Sequence, residues 1–259
     1  MSTRELLTTG EFTGGPFNRL VRHPLARNDG STLLVMDFGR ADCNPHSGTL
    51  AAGATFDNLE GTPDGVISGT ANAITSSGGK LTVPAWVSGA NQVMNIGTAG
   101  SFDLTSANPD FHAHIVFSLP DDAGSSGLAN GQIWAVGTAN DNLFRIDAGV
   151  LGRTPRAGAA TLSGAPVYTN VTGFVLGAVN IVSITRVGTL LQVWLNGVQV
   201  GTRTTNGTLP ALSGVTMQMF GGRAGETVWA AMLETIPSGR TAAQAVARAY
   251  AASNAAGYT

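Results

Sequence analysis

Two histidines are the first residues whose spacing could do chemistry. His112 and His114 sit two apart in the alternating run FHAHIVFSL. On a strand such residues share a face, so the two imidazoles could chelate a metal, though no third ligand lies nearby. The alternative is a place on an outer sheet face or at an interface. Asn140, Asp141 and Asn142 form an oxygen-donor cluster, with Asp121 and Asp122 a second. Hard oxygens suit Ca2+, which takes about six to eight of them, but Asn and Asp are also ordinary turn formers. Turn formation is the expected role and Ca2+ the alternative, so no cofactor is otherwise expected. Cys43 is the single cysteine, which excludes an internal disulfide. His46 follows three residues on, and a packed or loop cysteine is expected there in preference to a catalytic pair.

Catalytic carboxylates are harder to find. Glycoside hydrolysis needs two of them about 5–10 Å apart. The five glutamates are Glu5, Glu11, Glu60, Glu226 and Glu234, and no two occupy alternating positions of one strand. Glu226 and Glu234 are separated by about a strand length, which puts one at each end. There is no G-x-S-x-G elbow, P-loop or dinucleotide fingerprint. The expectation is therefore a protein that is not an enzyme. Aromatic rings offer another chemistry, stacking on sugars. Trp134 and Trp194 sit within strong strand patterns and are expected in the core. Trp86 follows Pro84 at a strand end and is the candidate for contact with a glycan.

These residues must be positioned by strands. The chain has 259 residues, 35 of them Gly, with 43% hydrophobic and only 12% charged residues. That is the composition of many short strands and turns rather than of a helical bundle. A net charge of −2 excludes a large nucleic-acid footprint. No window approaches 18 uninterrupted apolar residues, so no membrane insertion is expected. The stretch MSTRELLTTGEFTGG carries Glu5 and Glu11 and lacks an apolar run, so no signal peptide is expected and synthesis in a cytoplasm follows.

Residues 1–30, rich in Gly and Pro, read as an extended arm for docking. Residues 31–259 read as one β-sandwich. TLLVMDF, GGKLTVPAW, VMNIG, FHAHIVFSL, QIWAVG, NLFRID, NIVSITRVG, TLLQVWLNGVQVGTRT, VTMQMFGG and ETVWAAMLE read as strands. Gly39–Gly65 reads as loop, with some strand character around Ala54 and Phe56, and Gly149–Pro166 as a weak Gly/Ala stretch. Turns are expected at Gly78-Gly79, at Val187-Gly188 and at Asn196-Gly197, the last a type I′ turn. Residues 241–256 read as an Ala-rich helix with a Thr241–Gln244 capping box and Gly257 as its stop. Its face of Val246, Ala249, Tyr250 and Ser253 is expected to dock on the sandwich.

The motifs VWLNGVQVG, FGGR and MLE, each ending a strand, together with GGKLTVPA before FHAHIVFSLP, resemble the concanavalin A-like lectin/glucanase superfamily. Its laminin-G-like and pentraxin-like jelly rolls are the most similar branch. The resemblance spans residues 32–258 and implies an all-β, concanavalin A-like jelly-roll sandwich with an extended N-terminal arm and a short C-terminal helix. The Glu-x-Asp-x-x-Glu run of the glucanase members is missing here, and calcium-dependent members place Asp and Asn on loops at one rim.

The function expected is a structural component of a bacteriophage particle: tail, baseplate, fibre or head decoration. Residues 1–30 would join it to other virion proteins, as a homo-oligomer such as a trimer, with a host-surface glycan as a candidate partner. The expected location is the virion. The alternatives are a free carbohydrate-binding lectin and, less favoured, a divergent glycan hydrolase.

Overall fold

Alternation of apolar and polar residues sets the central strands, and pairing between distant segments recruits the others. The structure is a computed structural model. It describes residues 23–83, 92–102, 104, 110–120, 132–137, 142–147, 156–159, 167–204, 214, 216–221 and 225–258. Strands β1 (Thr32–Asp37), β2 (Gly48–Thr49), β3 (Thr55–Asn58), β4 (Gly61–Ser68), β5 (Thr75–Ser77), β6 (Lys80–Thr82) and β7 (Val93–Thr98) come first. They are followed by β8 (Phe111–Ser118), β9 (Gln132–Gly137), β10 (Asn142–Asp147), β11 (Arg156–Ala159) and β12 (Val167–Asn170). The last are β13 (Asn180–Val187), β14 (Leu190–Leu195), β15 (Val198–Thr204), β16 (Thr216–Gly221) and β17 (Thr227–Thr235), and helix α1 (Ala242–Ala256) closes the chain.

The strands form two antiparallel sheets. The first runs β15-β14-β13-β8-β17-β6-β5-β2, and β1 also pairs with β17. The second runs β12-β11-β10-β9-β16-β7-β4-β3. The fold is thus an all-β sandwich with a short C-terminal helix.

Period-two alternation decides what each strand buries. Phe111, Ala113, Ile115 and Phe117 of β8 face the second sheet, as do Val182 and Ile184 of β13 and Leu191, Val193 and Leu195 of β14. They meet Trp134, Val136, Phe144, Ile146, Met217 and Met219. Trp134 sits edge-on to Phe144 with ring centroids 4.8 Å apart. Each such side chain contributes about 1.5–3 kcal/mol by leaving water.

The expected hairpin turn at Asn196-Gly197 is present, with positive φ at both residues (49° and 79°), as a type I′ turn requires. The turn between β13 and β14 falls at Gly188-Thr189, since Val187 pairs with Leu190. It lies one residue beyond the expected Val187-Gly188. The loop expected over 39–65 carries β3, in line with the strand character expected around Ala54 and Phe56, and also β2 and the start of β4. Pro63, Asp64 and two glycines hide β4 from propensity. What makes it a strand is pairing to β3 and β7, where Gly65 lies so close to Met94 that a Cβ would come within 2.8 Å of its Sδ. β11 likewise lies inside the stretch read as weak Gly/Ala.

Helix α1 starts as expected. Thr241 caps it, its side chain accepting from the Gln244 N–H while the Gln244 side chain returns to the Thr241 N–H. Gly257 ends it in the left-handed conformation. Val246, Ala249 and Ser253 are buried, and the helix packs on β8 and β13. Of the expected arm, residues 1–22 lie outside the described residues. Residues 23–30 pack on the outer face of the first sheet, where Leu25 joins Val35, Trp229 and Met232 in an apolar cluster.

Candidate functional site

The outer face of the first sheet carries a buried layer of hydrogen-bonding and ionisable side chains. Alternation explains why it exists: with Phe111, Ala113 and Ile115 facing the core, His112 and His114 must point the other way. Both are fully buried beneath α1 and residues 23–30, with ring centroids 5.6 Å apart. The sequence therefore placed them correctly on one face, and the structure encloses them within the molecule.

Four sets of contacts run along this seam. At one end Asp37 of β1 accepts hydrogen bonds from His23 Nε2 (2.8 Å), Tyr258 OH (2.9 Å) and the Gly39 N–H (3.0 Å). Burial alone would raise the Asp37 carboxyl, but those donors outweigh it and hold the group below its ordinary value. Burial, with the Asp37 charge beside it, pushes the Tyr258 hydroxyl upward. In the middle, Glu234 of β17 accepts from Arg27 Nε and Nη2 and from His112 Nδ1, the last at 2.9 Å. Burial opposes ionisation of Glu234 as well, and the His112 and Arg27 hydrogen bonds overcome it, so its carboxyl is lowered. His114 bridges sheet and helix: Nδ1 meets Ser183 Oγ and Nε2 meets Ser253 Oγ, both at 2.8 Å. Arg248 of α1 donates to the carbonyls of Pro24, Leu25 and Ala26, tying the helix to the segment beside it.

The two imidazoles are held neutral. Burial lowers His112 despite Glu234, and lowers His114 well below the ordinary histidine value, with His112 and Arg248 adding to the effect. Because a carboxylate only accepts, His112 Nδ1–H is the donor to Glu234. His112 Nε2 then has no hydrogen-bond partner. Among the described residues no three His, Cys, Asp or Glu are grouped to hold an ion.

The other expected residues are distributed as follows. Trp86, Asp121, Asp122, Asn140 and Asp141 lie outside the described residues, as does the Asn142 side chain. Trp134 is in the core, Trp194 is buried under α1 with its N–H donated to Thr185 Oγ1, and Trp229 is buried on the outer face under the Lys80 ammonium. Cys43 is buried, its thiol pushed up to about 12 chiefly by that burial. His46 instead bonds the Thr55 carbonyl oxygen and packs on Phe56, so no Cys–His pair forms. Glu226 and Glu234 sit at opposite ends of β17, both fully buried.

The ends of the sandwich differ too. β6 and β8 finish at one end, where Val83 exchanges hydrogen bonds with Glu226 and Gly225. β9 starts there, paired to Gly221, and finishes at the other end, where Gly137 pairs with Asn142. Val83 thus stands at one end of the sandwich and Asn142 at the other. Sequence reasoning missed Asp37, Ser183, Arg248 and Tyr258, whose partners are far away in the chain, and placed Ser253 on the docking face of α1 without its partner His114.

No family model matches the chain, and no curated protein does. Solved structures do match. The sialidase of Trypanosoma rangeli is 12% identical over 90% of this chain and 35% of its own, with a TM-score of 0.59. A mutant of it displaying trans-sialidase activity gives 12%, 88%, 34% and 0.61. The binding domain of Botulinum neurotoxin DC in complex with rat synaptotagmin II gives 10%, 88%, 52% and 0.59. The chain spans about a third of the sialidase and half of the toxin domain structure. At such identities the likeness is one of fold, a lectin-like β fold. It corrects the expectation that the chain is not an enzyme: the same sandwich occurs within chains that have enzymatic activity, so its architecture gives no ground for excluding catalysis.

Proposed function

We propose that this chain is a carbohydrate-binding, lectin-like module of the concanavalin A-like kind, carried as a component of a bacteriophage particle. The observation that carries the binding part is the match itself. The same sandwich makes up about a third of a sialidase, one structure of which holds sialic acid, and about half of a toxin's binding domain structure. A module found in chains seen in complex with sialic acid or with synaptotagmin II suits recognition of a host-surface glycan. In this reading residues 1–22 join the protein to its virion neighbours, because residues 23–30 are already committed to the sheet, and the working form is a homo-oligomer. Trp86 is the contact for sugar.

The test is a titration of the full chain with host polysaccharide and with sialylated glycan, followed by tryptophan fluorescence. Trp134, Trp194 and Trp229 are buried, so they should respond little. A saturable shift that Trp86→Phe abolishes is expected, and no binding by either protein overturns the reading. Sugar released during the same incubation moves the reading to a glycan hydrolase, the alternative that the sialidase match favours. Mass spectrometry of purified particles tests the virion part: stoichiometric copies are expected, and absence leaves a free lectin.

A further inference from the structure

We propose that the seam under α1 is an acid-sensitive latch: protonation of His112 and His114 loosens α1 and residues 23–30 from the first sheet while the sandwich itself stays closed. The geometry requires the neutral imidazoles. His112 already donates from Nδ1 to Glu234, so a second proton must go on Nε2, a buried atom with no partner. A buried N–H without an acceptor is unfavourable. His114 sits between two hydroxyls, Ser183 on the sheet and Ser253 on the helix, with no carboxylate among its hydrogen-bond partners.

The charges around the pair add to this. Arg27 approaches from residues 23–30, Arg248 from α1, and Glu234 from β17, with the two imidazoles facing each other on β8. β13 contributes only the Ser183 hydroxyl to these hydrogen bonds. Glu234 is already shared between Arg27 and His112. The other acids of the seam are committed at its ends, Asp37 to His23 and Tyr258, and Asp29 to Arg240. New positive charge therefore arises between two arginines and beside one occupied carboxylate. Among the described residues the fully buried imidazoles are His112 and His114, both in the outer layer, so acid acts there first.

The sign follows from linkage. Both histidines have lowered values in the folded layer and regain ordinary ones, near 6.5, once it opens. The layer is thus fully docked above about pH 6.5 and weakens as pH falls below it. Each buried neutral histidine adds up to about tenfold per pH unit to the opening equilibrium, so the pair adds up to about a hundredfold.

Hydrogen–deuterium exchange of the full chain at pH 7.5 and 5.0, corrected for intrinsic exchange, reads this directly. Amides of α1 should lose tenfold or more of their protection at pH 5.0, while those of Met217–Met219 in β16 keep theirs. His114→Gln, which retains a hydrogen-bonding side chain, should reduce the pH dependence of α1, and His46→Gln should leave it unchanged. Equal protection of α1 at both pH values overturns the proposal. So does loss of protection in α1 and β16 together, or an unaltered pH dependence in folded His114→Gln. The comparison within the parent protein decides the matter if that variant does not fold.

Discussion

The ion pair between Arg27 and Glu234 offers the sharpest test of how the outer layer is held. Glu234 is fully enclosed and the Arg27 side chain is 13% exposed, so both charges lie largely out of reach of solvent screening. Glu234→Gln keeps the shape but exchanges a carboxylate oxygen for an NH2 group that confronts either the guanidinium or the His112 N–H. Removing one partner of a buried pair costs about 3–5 kcal/mol, because the other is left unpaired. Arg27→Met should cost less, about 1.5–3 kcal/mol, the range for a hydrogen bond to a charged group, because Glu234 keeps His112. The double variant should cost less than the two together, with a coupling of about 1.5 kcal/mol or more. For a chain of this size one kcal/mol moves Tm by about 2–4 °C, so Glu234→Gln should lower Tm by roughly 6–20 °C. Thermal unfolding of all four proteins at pH 7.5 measures this. Because the folded Glu234 carboxyl is lowered, its contribution is present above the ordinary carboxylate value and lost as pH falls through the folded one; Glu234→Gln should lack that loss. Additivity within about 0.5 kcal/mol would refute the account of the pair as a buried, coupled unit.

Two further substitutions probe other joints. Gly197→Ala places a Cβ 2.8 Å from the Tyr250 ring at a φ of +79°; a loss of about 1–3 kcal/mol is expected in urea unfolding, and adding Tyr250→Ala should recover the steric part but not the backbone part. Tyr258→Phe removes one donor to Asp37 and should cost about 1 kcal/mol. It should also move the acid-unfolding midpoint to higher pH, since the stability that comes from the lowered Asp37 carboxyl is lost earlier as pH falls.

The elements that the sequence made legible are those whose local pattern agrees with their surroundings. β8 and β13 alternate over most of their length, Asn196-Gly197 carries its own turn geometry, and the Thr241–Gln244 box announces α1. β4 and β11 are rich in Gly, Pro, Asp and Ala and are strands by pairing, β4 with β3 and β7 and β11 with β10 and β12. The seam was half legible. That His112 and His114 share a face follows from their spacing, but nothing local says that the face is covered. Their partners Ser183, Glu234 and Ser253 are 69, 122 and 139 residues away, and the register of β8 against β13 and β17, with the docking of α1, brings them together. The catalytic question misled for a related reason. The absence of a paired carboxylate run describes one kind of active site, whereas the sandwich is a frame found within enzymes and binding domains alike.

The pairing of β1 with β17 has a consequence for how the protein is made. Thr32–Asp37 leave the ribosome early, and their neighbour Thr227–Thr235 is not yet synthesised. At about 5–20 residues per second that interval is roughly 10–40 s, during which Leu34, Val35 and Met36 have no sheet to join. Val35 and Leu25 then wait for Trp229 and Met232 as well. A nascent chain halted before Thr227 should therefore hold its first strand unpaired and bind hydrophobic-segment chaperones, and releasing it past Thr235 should end that binding.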